Sequence, residues 1–200
     1  MSISTGVAAP RRRRSPEEAK EEALVSARRL LLDRGPDGVT LKAVADDIGM
    51  SHGNLIHHFG SAGGLHSALM GAMVRDLTVA LESAVTKVRS EDSGPRELVD
   101  IVFEAFDTGG AGHLAAWISL SHDLGQLAAV REAVDHLVQA IADKIRAEGR
   151  EPPRHIPSAL LFVTLCAFGD SVIGEALCDM LGRDREATRR IAAHLLPTFL

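Results

Sequence analysis

The chain has 200 residues, 46% of them hydrophobic and 24% charged, which is typical of a soluble globular protein of one large or two small domains. It has no tyrosine, and it lacks runs that alternate apolar and polar residues, so an all-α fold is predicted. The net charge of −5 does not indicate a nucleic-acid partner, but residues 1–66 carry +1 and residues 67–200 carry −6, which leaves room for a local contact surface.

The first 14 residues are predicted to form a flexible basic tail that ends in Arg11–Arg14. Ser15-Pro16-Glu17-Glu18 then combines an N-cap serine, a proline at the first helical position and a glutamate that completes a capping box. The helix that starts there is predicted to end at Gly35-Pro36 and to bury Leu24, Ala27, Leu30 and Leu31.

The next stretch predicts two short helices joined by a sharp turn. Thr40 is a natural N-cap for the first helix, and Gly49 can adopt the positive φ that ends it. Ser51 caps the second helix, in which Leu55 and Phe59 point inward. This arrangement is a helix-turn-helix, whose second helix normally lies in the DNA major groove. With the preceding helix, it forms a predicted DNA-binding domain of residues 15–64.

Residues 65–200 are predicted to form a helical body. A long helix from Leu65 to Val88 links it to the preceding domain, because leucines and other apolar residues recur there every four positions. Further helices are predicted at residues 96–107, 113–123, 128–148, 158–180 and 184–195. The intervening loops are Ser90–Pro95, Glu148–Pro157 and Leu181-Gly182-Arg183.

Two observations indicate the cellular compartment. Cys166 and Cys178 are twelve residues apart in one predicted helix, about 18 Å along its axis, so they are expected to be buried thiols in a reducing compartment. The longest apolar run, Ala159–Phe168, is shorter than the roughly 20 residues that a membrane span needs. A cytoplasmic protein with no membrane partner and no signal peptide is therefore expected.

Side chains on the outer edge of the helix-turn-helix are the predicted DNA contacts. Asparagine can pair with adenine through two hydrogen bonds, and histidine can donate to guanine N7 or to a phosphate. Residues at the helix starts suit phosphate, although capping or a solvated face would use the same residue types. The predicted contacts are Thr40, Lys42, Ser51, His52, Asn54 and His57. The arginines of the tail either enter the minor groove or only add electrostatic attraction.

Residues 24–65 resemble the N-terminal domain of the TetR family of bacterial transcription regulators. The resemblance is carried by Ala27, Leu30, Leu31, Gly35, Thr40, Val44-Ala45, Gly49, Ser51, Leu55, His58-Phe59 and Leu65. It implies an all-helical homodimer with a ligand cavity in each body. It also implies a repressor that a small molecule releases from operator double-stranded DNA.

Two positions depart from that family's pattern. Ile56 stands where a tyrosine commonly contacts a phosphate, and Ala62 where a lysine commonly opens the fourth helix. His57, backbone amides near Ser61 and the arginine tail are the predicted substitutes for these two contacts.

The resemblance also implies a dimer seam and a ligand pocket in the body. The predicted seam residues on the last two helices are Leu161, Leu165, Phe168, Val172, Leu195 and Leu196. The predicted pocket residues, which would suit an apolar or aromatic effector, are Phe103, Phe106, His113, Trp117, Phe162 and Cys166. For both sets the alternative is ordinary core packing.

Two other functions remain open from the sequence. One is a constitutive DNA-binding protein without an effector, against which the large apolar body argues. The other is an enzyme that uses His113 and Asp123 with Ser119 or Ser121, although neither a Gly-x-Ser-x-Gly elbow nor a phosphate loop is present. No cofactor is predicted, and no metal, because His113 and His122 lack the spacing of a ligand pair.

Overall fold

The computed structural model describes residues 15–87, 94–120 and 128–199. Within these ranges the chain forms helices and no strands, so the predicted all-α fold is confirmed. The helices are α1 (Pro16–Arg34), α2 (Leu41–Ile48), α3 (His52–Phe59), α4 (Ala62–Lys87), α5 (Gly94–Phe106), α6 (Ala111–Leu120), α7 (Ala128–Ala147), α8 (Ile156–Gly169), α9 (Glu175–Met180) and α10 (Ala187–Leu195). The basic tail and the residues Ser121, His122 and Asp123 lie outside the described residues.

The first helix starts and stops where its sequence signals predict. Ser15 Oγ accepts a hydrogen bond from the Glu18 amide at 3.1 Å, and Glu18 Oε2 accepts one from the Ser15 amide at 2.8 Å. Pro16 occupies the first turn, where its missing N–H costs nothing. Gly35 ends the helix with a φ of +73°, and a 3-10 turn at Pro36–Gly38 follows.

A first hydrophobic cluster holds the helix-turn-helix together. Leu30 of α1, Val44 of α2, Leu55 of α3 and Leu65 of α4 are all almost fully buried in it. Leu114 of α6 belongs to the same cluster, so a helix of the body packs directly against the DNA-binding domain. The predicted boundary at residue 64 stays a prediction, because packing continues across it.

A second cluster fills the body, where α4 packs along α7, and α5 and α8 complete it. Leu81, Phe103, Leu137 and Val163 are among its buried members. Because Leu69 lies in the first cluster and Leu81 in the second, α4 is a single rod shared by the two.

Five helix starts differ from the predicted ones, among them α4, which begins at Ala62, and α6, which begins at Ala111. Gly94-Pro95 belong to α5, and α8 begins at Ile156, since proline fits the first turn of a helix. The helix α10 begins three residues late, at Ala187. There Asp184 Oδ1 accepts a hydrogen bond from the Glu186 amide at 3.0 Å, which holds the preceding residues in a turn. The bidentate pair with Arg190 lowers the pKa of Asp184 to about 2.

A π-helical turn, Asp170–Gly174, joins α8 and α9 into one continuous helix of 25 residues, Ile156–Met180. Its most apolar stretch has a mean hydropathy of 1.8, so length and composition alone would allow it to cross a membrane. The predicted helix of residues 158–180 is confirmed, and it begins two residues earlier.

Candidate DNA-binding face, cavity and apolar surface

The second helix of the helix-turn-helix is anchored by its apolar side and capped at its start. Leu55 is fully buried and Phe59 nearly so, both against the first cluster. Ser51 Oγ accepts a hydrogen bond from the Asn54 amide at 3.3 Å. Gly49 adopts the left-handed conformation, with φ +64° and ψ +37°, that reverses the chain between α2 and α3.

The opposite edge of α3 is open to solvent. His52, Asn54 and His57 are exposed, as is Ile56, and no other part of the described chain covers them. His58 is half-buried, with its ring centroid 5.9 Å from that of His57. A helix that is fixed on one side and presents polar side chains on the other can enter a groove of duplex DNA.

The predicted phosphate ligands at the start of α2 are exposed too. Thr40 Oγ1 accepts a hydrogen bond from the Ala43 amide at 3.0 Å, so it caps the helix. Lys42 Nζ lies 2.6 Å from Asp46 Oδ2, and this hydrogen bond, with the charge of Asp46, raises the pKa of Lys42. The pair is largely exposed and costs little to separate, so a phosphate can take the place of Asp46. Sequence reasoning missed Asp46, although its four-residue spacing from Lys42 signals the pair.

Ion pairs fix the helices behind this face. Arg29 of α1 pairs with Asp47 of α2, and this hydrogen bond, followed by one from Ser26, lowers the pKa of Asp47. Arg28 Nη1 of α1 lies 2.5 Å from Asp76 Oδ2 of α4. The helix α3 therefore rests on a scaffold that these two ion pairs hold together.

The body contains a cavity of about 390 Å³ between α4, α5, α7 and α8. Its walls are aliphatic, without an aromatic ring, and two charged residues, Arg150 and Glu151, lie on the loop that follows α7. The lining residues are Leu81, Leu98, Val102, Ile141, Ile145, Arg150, Glu151, Pro153, Ile156, Ala159, Leu160, Val163 and Leu196. This size and character suit a small ligand with an aliphatic chain.

The helices α8, α9 and α10 present an apolar surface to solvent. Leu161 and Leu165 are each 60% exposed, and large aliphatic side chains continue the surface along the same helices. We call this the apolar face; its members are Leu161, Leu165, Val172, Ile173, Leu177, Met180, Leu181, Ile191 and Leu195. A patch of this kind marks an interaction surface.

The helix-turn-helix also matches known proteins in sequence. Residues 23–69 match the model of the bacterial regulatory proteins of the tetR family, and this segment runs from α1 through both helices of the motif into α4. This segment is a TetR-type DNA-binding domain. A domain of this type implies DNA-binding transcription regulation. No curated protein matches it in sequence.

Solved structures share the fold of this chain over nearly its whole length. A protein of unknown function from Rhodococcus sp. RHA1 is 23% identical with a TM-score of 0.62, and the match covers 94% of this chain and 96% of that one. The multidrug binding protein EbrR, complexed with imidazole, is 17% identical with a TM-score of 0.57 over 89% and 94%. BioQ of Mycobacterium smegmatis is 20% identical with a TM-score of 0.52 over 90% and 95%.

None of the six predicted pocket residues lines the cavity of about 390 Å³, so their role in a ligand pocket stays a prediction. Phe103 is buried in the second cluster, and Phe106 packs against both clusters. Phe162 stacks on Phe199, with ring centroids 4.8 Å apart. Cys166, partly buried, lines a groove on the apolar face, whereas His113 and Trp117 lie on α6 and line no part of the cavity. The phenylalanine rings pack between helices, and aliphatic side chains form the walls of the cavity.

The predicted seam residues divide into two groups. Leu161, Leu165, Val172 and Leu195 lie on the apolar face, and Phe168 is half-buried beside it. Leu196 turns inward instead and lines the cavity, because a 3-10 turn at Leu196–Phe199 replaces the helix there.

Cys166 and Cys178 are free thiols, and burial raises the pKa of Cys166. Among the described residues no three His, Cys, Asp or Glu side chains form a metal-binding group.

Proposed function

We propose that this chain is a cytoplasmic TetR-family repressor that binds operator DNA as a homodimer and is released by a small aliphatic molecule. The observation that supports this most is the arrangement of α3, with Leu55 and Phe59 buried and His52, Asn54 and His57 exposed. The proposed DNA contacts are those three residues together with Thr40, Lys42 and Ser51.

Homodimer formation is supported by the apolar face. In a single subunit Leu161, Leu165 and Met180 are largely exposed, which leaves a large apolar area in water. A second copy of the chain that packs its own α8 to α10 there would cover both faces at once, as a two-fold interface requires. Such a dimer presents two copies of α3, the proposed reading helices, which can bind operator half-sites about 34 Å apart.

Effector release is supported by the shared helix α4. Leu69 packs among the residues that hold the reading helix, and Leu81 of the same helix forms a wall of the cavity. A ligand that displaces α4 therefore moves the DNA-binding domain. The ligand shifts the equilibrium only by the difference in its affinity for the two conformations.

The cavity also favours one chemical class of effector. Its walls offer no polar partner away from Arg150 and Glu151, so a polar group placed deep inside would lose its hydrogen bonds to water without replacement. An aliphatic chain with a polar head near those two residues avoids that cost.

Selection of DNA from a random duplex library tests the proposal. The full chain is expected to enrich duplexes with two related half-sites one helical turn apart and to protect both from cleavage. Fluorescence anisotropy on an enriched duplex then measures release by aliphatic ligands. The repressor model fails if the chain enriches no sequence, and the effector part alone fails if a ligand shown to occupy the cavity leaves the affinity unchanged.

A further inference from the structure

A hydrogen bond joins the body to the turn that precedes the DNA-reading helices. Trp117 Nε1–H, near the end of α6, donates to Asp37 Oδ1 at 2.8 Å. Asp37 lies in the 3-10 turn between α1 and α2, eighty residues away in sequence. The contact therefore ties the body to the reading end of the molecule at a point other than α4.

The ring of His66 packs against Trp117 beside this hydrogen bond. It is only 2% exposed, and its ring centroid is 4.2 Å from that of Trp117, at an interplanar angle of 59°. Neither ring nitrogen has a hydrogen-bond partner of acceptable geometry, although the backbone carbonyls of Pro36 and Val39 face it. Burial lowers the pKa of His66, although those carbonyls and Asp37 act in the opposite direction. The ring that packs against the indole of Trp117 is therefore favoured in its neutral form.

The other end of α6 packs closely against the side chain of Ser171. A Cβ atom at Gly112 would lie 2.0 Å from Ser171 Oγ, so only glycine lets α6 approach the π-helical turn Asp170–Gly174 this closely. That turn is part of the continuous helix whose outer side forms the apolar face. The ten residues of α6, about 15 Å long, thus connect the apolar face with the turn before α2.

We propose that Trp117 is a positioning residue whose hydrogen bond to Asp37, beside the ring of His66, sets the angle at which the helix-turn-helix is presented. The proposal rests on the DNA-binding function proposed above. The rod α6 transmits a movement of α8 and α9 to this joint. A single exposed hydrogen bond is weak enough to break and re-form during switching. Without it, the helix-turn-helix domain can change its orientation relative to the body more freely. That orientational freedom is lost when the two copies of α3 bind successive grooves, so binding becomes weaker.

The experiment uses the full chain and an enriched duplex, with Trp117 as a built-in probe. It is the only tryptophan in the sequence, so its emission reports on the joint alone. Asp37→Ala removes the acceptor, whereas Asp37→Asn keeps an amide oxygen that can accept from the indole. Asp135→Ala removes an exposed carboxylate from the surface of α7 and is the matched control. Hydrogen exchange of residues 36–40 and duplex affinity are measured for each variant.

Asp37→Ala is expected to shift the emission to longer wavelength, to speed exchange in residues 36–40 and to weaken duplex binding about fivefold. Trp117→Phe should show the same faster exchange and weaker duplex binding as Asp37→Ala. The duplex affinities of Asp37→Asn and Asp135→Ala should stay within about twofold of that of the wild type. The proposal is overturned if Asp37→Ala behaves like Asp135→Ala in all three measurements. If the wild type enriches no duplex, the proposed function fails, and emission and exchange still decide the joint in the same way.

Discussion

Ser26 donates its hydroxyl hydrogen to Asp47 Oδ2 at 2.6 Å, which joins the middle of α1 to the last turn of α2. Ser26 is buried, and Asp47 is held at the same time by Arg29. A buried hydroxyl that donates to a carboxylate forms a charge-assisted bond, stronger than a neutral one. The contact therefore fixes α2, against which the reading helix packs.

Ser26→Ala should lower the free energy of unfolding by about 1 kcal/mol, because a buried donor is lost while the carboxylate keeps its arginine partner. Urea denaturation followed by circular dichroism measures the loss. Ser119→Ala is the matched control, since that exposed hydroxyl donates only to the Ala115 carbonyl of its own helix. An equal loss in both variants would show that the contact with Asp47 adds nothing.

The helix-turn-helix could be predicted from the sequence because its signals are local. The N-caps Thr40 and Ser51 and the positive φ of Gly49 each depend on a few neighbouring residues, and the structure confirms all three. The buried positions Leu55 and Phe59 follow from a single helical period. Signals that span only a few residues can be recognised without knowing how the rest of the chain folds.

The cavity could not be predicted, because its walls come from helices that are distant in sequence. Whether Val163 or Phe162 faces the cavity depends on how α8 crosses α5, and periodicity in one helix does not give that crossing. Trp117 was expected in the pocket as the only tryptophan, yet its N–H found an acceptor in Asp37, far along the chain. An indole N–H can only donate, and the sequence does not show which acceptor the fold brings near it.

Asn54→Ala is expected to lower discrimination against the wrong base at one position of an enriched duplex by about 1–3 kcal/mol, because a bidentate contact to a base edge is lost. Competition binding with single-base variants of the duplex measures it. Lys42→Ala should instead weaken all sequences alike and reduce the slope of log affinity against log salt by about 1, as expected for one phosphate contact.

The control for both variants is Arg131→Ala, which removes an exposed charge from α7. It should alter neither base preference nor the salt slope. If Asn54→Ala weakened every duplex equally, Asn54 would contact the backbone and not a base.

The aliphatic cavity predicts a graded response to chain length. In the series octanoate, decanoate and dodecanoate, each added methylene should tighten binding about fourfold until the cavity is full, since burial of one CH₂ contributes about 0.8 kcal/mol. Isothermal titration calorimetry measures the affinities. Ala159→Phe should abolish the response by filling the space, whereas Val25→Phe on the exposed side of α1 should leave it intact. Affinity independent of chain length would count against this cavity as the binding site.

The apolar face predicts a dimer that one charge can disrupt. Leu165→Glu places a carboxylate in the middle of the face, which a partner subunit could cover only by burying an unpaired charge. Sedimentation equilibrium should then give the mass of one chain, 21.3 kDa, in place of twice that value. Val79→Glu, at an equally exposed site on α4, should remain dimeric. A wild type that sediments as a monomer would remove the basis of the two-site operator model.

His66 should make the protein less stable in mild acid. Burial lowers its pKa in the folded state below the ordinary value of 6.5, so the unfolded chain binds the proton more readily. Stability is therefore lost as the pH falls below about 6.5, and the loss levels off once the pH passes below the folded-state pKa. The carboxylate of Asp37 opposes the lowering of the His66 pKa and so narrows the pH range over which stability is lost.

Thermal unfolding between about pH 5 and 8 should show a smaller decline in Tm for His66→Leu than for the wild type, because the exposed histidines contribute equally to both proteins. Parallel curves would mean that the buried ring takes up its proton as easily as in the unfolded chain, and that the joint with Trp117 tolerates the charge.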